Sequence, residues 1–120
     1  MDQSTITIDV QLDDNKVPES IYWKAPGTTM ETTQIAKAMM LAFWDGTDKT
    51  LLRIDLWTKE MMVDEMTDFI YQVLISMADS YERATNQKDL GADMKNFAKN
   101  FYHKFRDQQL KLNTNPEAQP

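Results

Sequence analysis

Residues 38–57 read Ala38-Met39-Met40-Leu41-Ala42-Phe43-Trp44, then Asp45-Gly46-Thr47-Asp48-Lys49, then Thr50-Leu51-Leu52-Arg53-Ile54-Asp55-Leu56-Trp57. Two apolar runs closed by a polar turn that contains Asp-Gly are a β-hairpin signal. Whether the loop is the four residues Gly46 to Lys49 or only Thr47-Asp48, the pairing is the same: Phe43 opposes Leu52, Leu41 opposes Ile54 and Met39 opposes Leu56. That face is wholly apolar. Side chains alternate along a strand, so the other face pairs Trp44 with Leu51, Ala42 with Arg53, Met40 with Asp55 and Ala38 with Trp57. An odd-length loop with a bulge would mix the two sets.

Downstream of Trp57 the period changes from two to 3.6. Val63, Met66, Ile70, Val73, Leu74, Met77 and Tyr81 recur at spacings of three and four, with Asp64 and Glu65 at the end where a helix dipole favours negative charge. This helix is predicted to end near Thr85-Asn86. A second, capped by Asp89, carries Leu90, Met94, Phe97, Ala98, Phe101 and Phe105 on one face, with Lys95, Lys99 and Arg106 on another. Upstream, Ile6, Ile8, Val10 and Leu12 alternate with Thr5, Thr7, Asp9 and Gln11, the pattern of a half-buried strand. Asp13 to Pro18 supplies turn chemistry, and Ile21-Tyr22-Trp23-Lys24 reads as a second strand before Pro26-Gly27. Residues 28–37 carry no clear period and read as a loop. The expected fold is α+β: a four-stranded antiparallel β-meander followed by two C-terminal helices packed on the face bearing Met39, Leu41, Phe43, Leu52, Ile54 and Leu56. Residues 1–112 are expected to form a single domain and residues 113–120 a frayed tail.

The 120 residues suffice for one hydrophobic core, and a net charge of -6 opposes contact with phosphate backbones, so nucleic acid is not an expected partner. No window reaches the roughly 18 apolar residues of a membrane span, and Met1-Asp2-Gln3-Ser4-Thr5 has no secretory-signal pattern. The expectation is a cytoplasmic protein without membrane insertion. The absence of cysteine removes thiolate chemistry, and nine methionines suit surfaces that re-pack against partners.

Candidate chemistry is sparse. His103, the one histidine, reads as an exposed helix residue, and Asp45, Asp48 and Asp55 are explained as turn former, loop residue and partner of Arg53. The three glycines, Gly27, Gly46 and Gly91, are too far apart to form a phosphate loop. No catalytic residue, metal ligand or cofactor is expected, and the protein is not expected to be an enzyme. The basic row on the last helix reads as a solvated face. The second face of the hairpin is different, because an antiparallel sheet covered on one side by helices usually presents polar residues on the other. Here Met40, Trp44, Leu51 and Trp57 surround Arg53 and Asp55, which predicts a protein-contact surface formed by these six residues unless the segment from Thr28 to Lys37 or the N-terminal strand folds over it. A site for a small ligand, or even an enzyme's active site, between the sheet and that segment, using Tyr22, Trp23 and a carboxylate, is the alternative.

Several runs resemble the gliding motility-associated protein GldC family: Asp14-Asn15-Lys16-Val17-Pro18-Glu19 with Ile21 and Trp23, Ala36 to Leu41, Trp44-Asp45, Ile54 to Met61, Val63 to Met66, Ser76-Met77-Ala78-Asp79 and Arg83-Ala84-Thr85. The likeness spans about Ile6 to Phe105. Where the family has Met-Pro-Val before the helix, this chain has Met61-Met62-Val63, which weakens the helix start slightly. The resemblance implies a small accessory of bacterial gliding, with a partner in the gliding or secretion machinery and no catalytic residue to transfer. The order of strands and helices also resembles the SecB export chaperone, which makes binding of unfolded or secreted clients the alternative form of protein contact. Homo-oligomerisation is expected in either case.

Overall fold

The computed structural model describes residues 2–114. The chain is α+β and divides into a strand unit ending at Met61 and a helical unit beginning at Met62. The first holds β1 (Thr7–Leu12), β2 (Pro18–Lys24), β3 (Gln34–Ala36), β4 (Ala38–Asp45) and β5 (Thr50–Trp57), and the second α1 (Val63–Thr85) and α2 (Lys88–Thr114). There are thus five strands rather than four, and they form two antiparallel sheets, β1-β2-β3 and β4-β5, rather than one meander.

The division occurs at Lys37, where the backbone bends between β3 and β4. Both the backbone N–H and the hydroxyl of Thr58 donate to the Lys37 carbonyl, at 2.9 and 2.6 Å, and Thr58 is buried. The N–H bond continues the β4–β5 register by one step, Lys37 opposite Thr58, whereas Ala36 pairs with Ile21 of β2, so the chain passes from one sheet to the other at this bend. Residues 28–33 do cross as turns, but the end of the expected loop becomes β3, with Ile21, Tyr22 and Trp23 of β2 opposite Ala36, Ile35 and Gln34. In β1 and β2, Ile8 opposes Trp23 and Val10 opposes Ile21, which puts the four on one face; Ile21 is almost completely buried there. Pro18 stands at the first position of β2, where its missing N–H costs least, opposite a register shift between Gln11 and Leu12.

The turn from β1 to β2 is built on Asp13. Its carboxylate accepts from the N–H groups of Asn15 and Val17 at 2.8 and 2.9 Å, while Lys16 takes the left-handed conformation at φ 66°. Lys59 Nζ reaches the same carboxylate at 2.8 Å and Glu19 at 3.7 Å. That ammonium, together with the two N–H donors, holds the Asp13 carboxyl below the usual range, and Asp13 raises Lys59 in return.

The helical unit is an antiparallel hairpin whose arms meet through small residues. Ala78 on α1 and Ala98 on α2 are fully buried, and a Cβ added to Gly91 would lie 3.3 Å from Glu82 Cβ. Asn86, at φ 59°, ends α1 in the left-handed conformation and donates its N–H to the Glu82 carbonyl at 2.8 Å. Lys95 crosses to Asp79 at 2.7 Å and to Glu82 at 3.9 Å, the Tyr71 and Tyr102 rings stand 4.8 Å apart, and Arg106 lies over Tyr102. Lys95 and Arg106 therefore act within the hairpin and are not simply a solvated row. α1 starts at Val63 without a side-chain cap from Met62, its first turn carrying Asp64 and Glu65. α2 runs through Thr114, two residues into the expected tail, and residues 115–120 lie outside the described part.

Candidate interaction surface

The β4–β5 hairpin has the register that its alternation predicts, from Ala38 opposite Trp57 through Met40–Asp55 and Ala42–Arg53 to Trp44–Leu51 and Asp45–Thr50. The loop is Gly46 to Lys49. Asp45 closes it: its carbonyl accepts the Lys49 N–H at 2.7 Å, and its carboxylate accepts the N–H groups of Thr47 and Asp48 at 2.9 and 3.4 Å. The left-handed residue of the turn is Lys49, at φ 55°, and Gly46 does not use its freedom.

At the tip of the hairpin both faces carry exposed apolar side chains. Trp44 is 68% and Leu51 52% exposed on one face, while on the other Phe43 is 58%, Leu52 57% and Ile54 52% exposed. Alternation assigns residues to a face but says nothing about what lies over it. On the Trp44 face, Arg53 binds Asp55 side by side along β5, with Nε and Nη2 donating to Oδ1 at 3.1 and 2.9 Å. Both are exposed, and across the ladder they meet only Ala42 and Met40.

Nearer the base the surroundings change. Met40 and Trp57 are half-buried. Met39 and Met40 border an open cleft of about 370 Å³ with Ile8, Ile21, Trp23 and Ala36. The six residues expected to make one surface therefore fall into an exposed group, Trp44, Leu51, Arg53 and Asp55, and a partly covered pair, Met40 and Trp57. The cleft itself was not foreseen, since it needs β3 and the bend at Lys37. Tyr22, Trp23 and Asp9 border a hollow of about 80 Å³ together with Thr33. Neither cavity is lined by Asp55. His103 is exposed on α2. Among the described residues no helix is long and apolar enough to cross a membrane.

Comparison with known proteins gives one family: the model described as "Gliding motility-associated protein GldC-like" matches residues 18–107. No curated protein and no solved structure matches.

Proposed function

The chain belongs to the GldC-like family of gliding motility-associated proteins, and from that premise we propose that it is a noncatalytic cytoplasmic accessory that acts in gliding through contact with a protein of the gliding or secretion machinery. The observation that carries this reading is the hairpin tip, with large apolar side chains exposed on both of its faces and an ion pair between them on one. Contiguous apolar surface rimmed by polar groups favours burial against another protein, and a tryptophan with a nearby arginine is the composition of an interface centre. Trp44 and Leu51 are the anchors in this reading and Arg53 and Asp55 set orientation, while Met40 and Trp57 support the hairpin from below.

Trp44→Ala combined with Leu51→Asp tests it. Both side chains are exposed, so stability is expected to change by no more than about 0.5 kcal/mol per site. In gliding cells lacking the wild-type copy, the double variant is expected to accumulate normally yet lose both affinity capture of the wild-type chain's partners and cell spreading. Wild-type spreading and capture by this variant would sink the proposal. The chaperone reading draws on the same two-sided exposure and on the methionines Met30, Met62 and Met77, also in solvent. It predicts that the purified chain suppresses aggregation of an unrelated unfolding protein, which an adaptor for one partner does not.

A further inference from the structure

Within its two-stranded sheet β5 is an edge strand. It is eight residues long, and β4 is its one strand neighbour among the described residues. It pairs with β4 without a bulge and contains no lysine and no proline, the usual devices against edge-to-edge association. Of the other edges, β1 has its register shift at Leu12, β3 is three residues long, and β4, as long as β5, carries the single charge Asp45 and so has no opposite charge to offer a second copy.

The strand is also complementary to its own reverse. Around Ile54 stand Arg53 and Asp55, then Leu52 and Leu56, then Leu51 and Trp57. We propose that two copies of this chain join by setting their β5 strands antiparallel across a two-fold axis at Ile54, each Arg53 facing the Asp55 of the other copy. An isologous antiparallel pair must keep residues of the same face opposite one another, so its register can shift only in steps that move the axis by a whole residue. With the axis at Arg53 the two arginines would meet, and with it at Asp55 the two aspartates would; at Ile54 both contacts join opposite charges. The result is a ring of four alternating charges, because each Arg53 already binds its own Asp55 at 2.9 Å. On the opposite face, Leu52 and Ile54, exposed in the single chain, meet Leu56 and Ile54 of the second copy. This rests on the reading of the hairpin as a contact surface and names one occupant for its β5 edge, leaving Trp44 beside the new junction for the machinery partner.

Sedimentation velocity of the full chain with Arg53→Asp and Asp55→Arg variants tests the pairing. The wild type is expected to be a dimer. Each variant alone places like charges around the axis and is expected to be monomeric, with unchanged far-ultraviolet ellipticity. Mixed in equal amounts, the two are expected to recover a dimer containing one copy of each, since the acidic pair of one then faces the basic pair of the other. In a chain without cysteine, Ile54→Cys is further expected to give a covalent dimer on mild oxidation. A monomeric wild type, single variants that remain dimeric, or a mixture that remains monomeric would each overturn the proposal. Such results leave the capture of a machinery partner by Trp44 and Leu51 untouched, whereas loss of that capture with the dimer intact would overturn the other reading alone.

Discussion

The chain contains two antiparallel hairpins, β4–β5 and α1–α2, and they satisfy their side chains in opposite ways. In the helical hairpin, buried small residues let the arms approach, and Lys95–Asp79 and Tyr71–Tyr102 tie them from side chain to side chain. In the strand hairpin the arms are joined by the ladder and the Asp45 turn, while Phe43, Trp44, Leu51, Leu52 and Ile54 remain in solvent. Burial of a large aliphatic or aromatic side chain stabilises by about 1.5–3 kcal/mol, so the five exposed side chains of the strand hairpin hold free energy of association that contact with another surface would release. The helices close on one another along one seam while Val63, Met77, Leu90 and Phe97 stay in solvent, and the hairpin tip has no such seam, its large side chains being exposed on both faces.

The contrast is broken most severely at Ala78. It is fully buried between the helical arms, so Ala78→Leu forces extra carbon atoms into a closed seam and is expected to destabilise the helical unit by about 1–3 kcal/mol. Far-ultraviolet ellipticity during thermal unfolding measures the loss. Trp23, Trp44 and Trp57 all lie in the strand unit, so tryptophan fluorescence follows that unit separately. A variant as stable as the wild type would mean that the seam is looser than the packing of Ala78, Gly91 and Ala98 indicates.

The turn gives the next effect, in both directions. Asp45→Ala removes the acceptor of two loop N–H groups and is expected to cost about 1 kcal/mol. Lys49→Gly relieves a side chain held at φ 55° and is expected to add about 0.5–1 kcal/mol. Denaturant midpoints followed by tryptophan fluorescence should therefore move oppositely. Stabilisation by Lys49→Gly with partner capture unchanged would separate the rigidity of the tip from its chemistry.

These two residues also show what was legible in the sequence. Asp45 ends an alternating run and begins a polar one, and with an even-length loop either choice of loop fixes the same pairs; the register could be read without knowing that Lys49, and not Gly46, supplies the left-handed turn. The helix limits were legible for a similar reason, since Asp64, Glu65 and Asn86 mark ends through local chemistry. β3 was not, because three residues with an exposed Ile35 carry no period and exist by pairing with β2. The split into two sheets was hidden as well, since it depends on Ala36 pairing with Ile21 of β2 one residue before Lys37 joins the hairpin.

The smallest expected effect comes from the ion pair between Lys59 and Asp13, which ties the residues after β5 to the turn of β1 and β2. The Asp13 carboxyl lies below its ordinary value of 3.8 because it accepts from Lys59 and from two backbone N–H groups. Its contribution is therefore present above that value and is lost as pH falls through the depressed one. Lys59 lies above its ordinary 10.5 for the reciprocal reason, so its part is present below 10.5 and is lost as pH rises through the raised value. Asp13→Asn keeps a side-chain oxygen for the N–H groups of Asn15 and Val17 but removes the charge. The variant is expected to unfold at a slightly lower temperature at neutral pH and to lose the part of the acid dependence that begins near pH 4. An acid limb as steep as that of the wild type would assign that dependence to other carboxylates and leave the Asp13 turn held by its backbone bonds alone.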